Sequence, residues 1–141
     1  VAGWPAYYQE PSYSKLWVNA THIKTRFDLS SWMSIYTGIP STLGNNWKVD
    51  ALTFLDNLSL PTDAPTVIDD ICAVFSPKGV DAVQKLILKA ILTNSLPDFE
   101  WNVEYTEYAS DPGNETLANS IRNKLTNLFI AMLTMPEYHL S

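Results

Sequence analysis

The sequence predicts an all-α fold, a compact array of about five to seven helices with no substantial sheet. Three observations carry this expectation. Apolar residues recur at intervals of three and four where they are dense, most clearly along Leu117, Ile121, Leu125, Leu128, Phe129, Met132 and Leu133. Turn-forming residues cluster at 38–46, 61–65, 76–80 and 111–114 and leave segments of helical length between them. Only the run Phe99, Trp101, Val103 and Tyr105 alternates like a strand, and no second strand exists to pair with it.

The first segment, residues 3–11, is too rich in proline and aromatic rings to be regular. After Pro11, Tyr13, Leu16, Trp17, Ala20, Ile23 and Phe27 fall at helical spacing and give one apolar face. Trp4 is expected to pack against this helix and against the C-terminal one. Asp28, Ser30 and Ser31 offer caps for a break or a continuation through Trp32, Ile35 and Tyr36, and residues 38–46 read as a surface loop. Trp47, Val49, Leu52, Phe54, Leu55 and Leu58 follow and fit a short helix better than a strand, with Asp50 as a candidate cap.

Asp63 or Thr62 then caps a helix whose first turn holds Pro65 and whose stripe is Val67, Ile68, Ile71, Val74 and Phe75. The next helix is predicted to bury Val83, Leu86, Ile87, Ala90 and Ile91. Trp101, Tyr105 and Tyr108 fit a further helix, and Asn114 with Glu115 starts the last and longest. Leu16, Phe27, Ile71, Leu86, Leu125, Phe129 and Met132 are the predicted core.

A chain of 141 residues reads as a single helical domain, residues 1–141, and buries roughly two thirds of its unfolded surface. With 46% hydrophobic and 17% charged residues it has the balance of a folded protein. The net charge of −6 argues against a nucleic-acid partner or an anionic membrane surface, since both require clustered Lys and Arg. No run approaches the roughly 20 apolar residues of a membrane span. The chain opens at Val1 without a starting methionine, so a C-terminal fragment of a larger protein is expected, with targeting information upstream.

Catalytic signatures are missing. His22 lies within the first helical pattern and His139 near the end, and neither accompanies a nucleophile motif. Asp69 and Asp70 near Cys72 form the closest approach to a metal cluster, yet neighbouring aspartates point to different sides of a helix and read as solvated charge. Cys72 sits in an apolar run and reads as a buried thiol. Glu100, Glu104 and Glu107 share one helical side and read as a surface ridge rather than a glycosidase pair. No phosphate loop occurs and no cofactor is expected. The aromatic residues Trp4, Tyr7, Tyr8, Tyr13 and Trp17 are the candidate contact residues: they suit stacking on sugar rings, and equally suit plugging a core or an interface.

Both ends resemble one family. Val1-Ala2-Gly3-Trp4-Pro5, then Trp17-Val18-Asn19, Thr21 and Arg26, is similar to the C-terminal region of the large bacterial proteins known as domain of unknown function 1800. The closing residues Met135-Pro136-Glu137-Tyr138-His139 resemble that family's Ser-Pro-Glu-Phe-Gln-like ending, with Met and His replacing Ser and Gln. Residues 6–11 are similar to its Bacteroidetes branch, whereas residues 38–114 match only in helical rhythm. The resemblance implies an exported all-helical protein and supplies no catalytic residues. Two functions follow as expectations. One is a non-catalytic module that packs on its own upstream domain or on another protein. The other is part of an enzyme or binding protein acting on extracellular polysaccharide through the aromatic segment.

Overall fold

Numbered in chain order, the helices are α1 (Ala51–Asp56), α2 (Ala64–Phe75), α3 (Ala82–Leu92), α4 (Asp98–Ser110) and α5 (Glu115–Leu133). The structure, a computed structural model, describes residues 21, 23–26, 28, 49–76, 78–135 and 138. Residues 21, 23–26 and 28 are helical as well, and among the described residues there is no strand, so the fold is all-α.

Four of the five numbered helices start where a short polar side chain satisfies free backbone amides. Asp50 accepts from the Thr53 amide at 3.3 Å and from its hydroxyl at 2.8 Å. Asp63 does the same for Thr66, at 3.0 and 2.6 Å, with Pro65 in the first turn. The hydroxyl bonds are the main reason both carboxyls titrate below the usual aspartate range. Asp81 accepts from the Val83 amide at 3.1 Å, while the Gln84 side chain accepts from the Asp81 amide at 3.1 Å. Asn114 accepts from the Thr116 amide at 3.1 Å. No side chain caps α4; Asp98 and Glu100 in its first turn instead face the positive end of the helix dipole.

The turns are equally specific. Ser76, buried, donates to the Gly79 carbonyl at 3.4 Å, and Gly79 has φ +94°, a conformation that favours glycine. Between α3 and α4 the chain reverses through Asn94 and Ser95, both left-handed, with the Ser95 amide donating to the Ala90 carbonyl at 2.8 Å.

Helix α5 is the axis of the packing. It contacts α1, α3 and α4, while α2 closes the array against α3 and α4. Its inward stripe, Ala118, Ile121, Leu125, Leu128, Phe129, Met132 and Leu133, is buried against Leu55, Val67, Ile68, Ile71, Leu88, Leu92 and Trp101. Phe54, Phe75 and Phe129, from α1, α2 and α5, meet in a triangle with ring centroids 5.5 to 6.0 Å apart. Trp101 is almost fully buried and stacks near Tyr105 at 6.4 Å. The predicted helix through the aromatic residues of α4 is therefore present.

Several side chains lie where the periodicity did not put them. Leu86, expected in the core, is 61% exposed, and its neighbours Val83 and Ile87 are exposed with it. Helix α3 carries apolar residues on two sides, so spacing alone selects neither. The buried side is the one carrying Leu88 and Leu92, which join the core against α5, and on the intervening edge Lys85 meets Asp69 of α2 and Lys89 meets Asp98 of α4. Val74 is exposed on α2 for a similar reason, since Cys72 occupies the core side. Glu104 is not surface charge: half-buried between α4 and α5, it accepts from Ser120 at 2.6 Å and pairs with Lys124. Ile71, Leu125, Phe129 and Met132 are core residues as expected. Leu16, Phe27 and the loop at 38–46 lie outside the described residues.

Candidate functional site

The aromatic contact residues Trp4, Tyr7, Tyr8, Tyr13 and Trp17 lie outside the described residues, as do His22 and His139. Within the described part, one feature that core packing does not explain is the outer side of α3. Val83, Leu86 and Ile87 are 62%, 61% and 57% exposed, and they stand at the one-turn spacing that makes neighbours of side chains on a helix. Together with the buried Leu88 and Leu92 they make α3 apolar on two opposite sides. A soluble helix normally carries one apolar stripe, so the second, exposed one is a surplus over what the core requires.

Ion pairs border the surface on one edge. Lys85 reaches Asp69 at 2.7 Å and Lys89 reaches Asp98 at 2.9 Å. Both pairs are solvent-accessible, so they orient α3 against its neighbours more than they stabilise it. Between α2 and α3 lies a groove of about 300 Å³, near the lower bound for ligand pockets, with Ile68 and Leu86 as apolar lining and the two lysines at its rim. A second apolar stripe, Leu96, Phe99 and Val103, is exposed along the start of α4.

The polar groups inside the array are arranged for cohesion. Tyr105 donates to Asp56 at 3.1 Å, and burial, reinforced by the Asp56 charge, pushes its hydroxyl from the ordinary 10 up to about 12. Burial also raises Tyr108, with Asp56 adding to the shift and Arg122 opposing it. Both phenols therefore remain protonated donors at neutral pH. Asp70 accepts from the Ser59 hydroxyl at 2.6 Å and the Ser59 amide at 2.9 Å, which lowers its carboxyl and pins α2 to the turn after α1. The Cys72 thiol is buried and pushed up by desolvation, with little thiolate to react. Among the described residues no group of three His, Cys, Asp or Glu is placed to hold a metal ion.

The outward role of Val83, Leu86 and Ile87 escaped sequence reasoning, which put them in the core. The available signal was a surplus: α3 has more apolar residues than one core-facing stripe holds.

Among the described residues no helix is long and apolar enough to cross a membrane. Compared with known proteins, the chain matches no family model, no curated protein and no solved structure.

Proposed function

We propose that this chain is a non-catalytic helical module of a larger exported bacterial protein, and that it packs on its own upstream domain or on a protein partner through the outer side of α3. The observation that carries the reading is the exposure of Val83, Leu86 and Ile87 on a helix whose opposite side is already buried. The similarity of both chain ends to domain of unknown function 1800 supports the larger parent and its export. A photo-crosslinking residue at position 86, introduced in the producing cell, tests the surface. A crosslink from position 86, to another protein or to an upstream part of its own parent chain, with none from the exposed polar position Asn127, is expected. Equal crosslinking from both, or neither kind of crosslink from 86, overturns the reading.

The aromatic excess of residues 4–17 favours a second reading, in which Trp4, Tyr7, Tyr8, Tyr13 and Trp17 stack on an extracellular polysaccharide. Trp4→Ala separates the two. Loss of retention on a polysaccharide column at unchanged melting temperature supports the platform; loss of stability alone supports packing.

A further inference from the structure

We draw no further inference here: the strongest candidate, the groove between α2 and α3 lined by Ile68 and Leu86, forms one edge of the α3 surface already described, its lysines are held by Asp69 and Asp98, and nothing in the structure shows what fills it.

Discussion

The indole Nε1 of Trp101 donates to the carbonyl of Pro61 at 2.9 Å, across forty residues of sequence. The bond joins α4 to the turn between α1 and α2, and Asn102 repeats the link one residue on, donating to the Thr62 carbonyl at 3.3 Å. Trp101 thus acts as both a core side chain and a tether. Trp101→Phe keeps an aromatic ring but leaves the Pro61 carbonyl without this partner, a loss of about 1–3 kcal/mol. Trp101→Ala removes the packing too and should cost about 3–5 kcal/mol. Urea denaturation of both variants gives the comparison; an unchanged stability in Trp101→Phe would mean that the hydrogen bond contributes nothing.

The two apolar residues Phe129 and Leu86 should behave in opposite ways. Phe129 is buried in the triangle of rings, and Phe129→Ala is expected to destabilise by about 3–5 kcal/mol. Leu86→Ala, on the outer side of α3, should stay within about 0.5 kcal/mol. A large loss at Leu86 in the isolated chain would place that side in the core after all.

At Ser95 the backbone holds φ +61°, where a Cβ is disfavoured. Ser95→Gly should raise stability by roughly 0.5–1 kcal/mol once the greater freedom of glycine in the unfolded chain is set against the relieved strain. The expected result is a higher melting temperature, and a lower one would show that the turn is not strained.

Two lysines make ion pairs of different worth. Lys124 and Glu104 are 13% and 19% exposed, so Lys124→Ala leaves a half-buried carboxylate with only Ser120 as a partner and should cost about 1–3 kcal/mol. Lys85 and Asp69 are open to water, and Lys85→Ala should cost no more than about 0.5 kcal/mol. Thermal melts in low and high salt should show salt sensitivity chiefly at Lys85.

The raised Tyr105 hydroxyl sets an alkaline limit. Its folded value of about 12 exceeds the ordinary 10, so the folded state binds the proton more tightly than the unfolded state does. The stabilisation is complete below pH 10 and is lost as pH rises from 10 towards 12. In Tyr105→Phe that alkaline decline should be smaller. Denaturant midpoints measured across this range decide the matter, and an unchanged decline in the variant would assign it to other groups.

Much of the array was legible in the sequence because its helices announce their starts. Asp63 with Pro65, and Asn114 with Glu115, marked α2 and α5, and the stripe from Ile121 to Leu133 named the core side of α5. What was not legible depended on neighbours distant in sequence. Leu86 and Leu88 are equivalent as local apolar residues; the core stripe of α5 distinguishes their sides by packing with Leu88 and Leu92. Likewise Glu104 resembles Glu100 and Glu107 until α5 brings Lys124 and Ser120 against it. The aromatic contact residues belong to a part of the chain outside the described residues, and their role rests on sequence alone.

The triangle of Phe54, Phe75 and Phe129 also imposes an order in time. Helix α1 has six residues, far fewer than the roughly 12 that an isolated helix needs in water, so it forms only when packing supports it. Part of that support is the ring of Phe129, near the far end of the chain. During synthesis at about 5–20 residues per second, α1 leaves the ribosome several seconds before the ring that completes its packing. An early element that must wait for a late one is exposed to chaperones and proteases in the interval, and residues 51–56 are such an element.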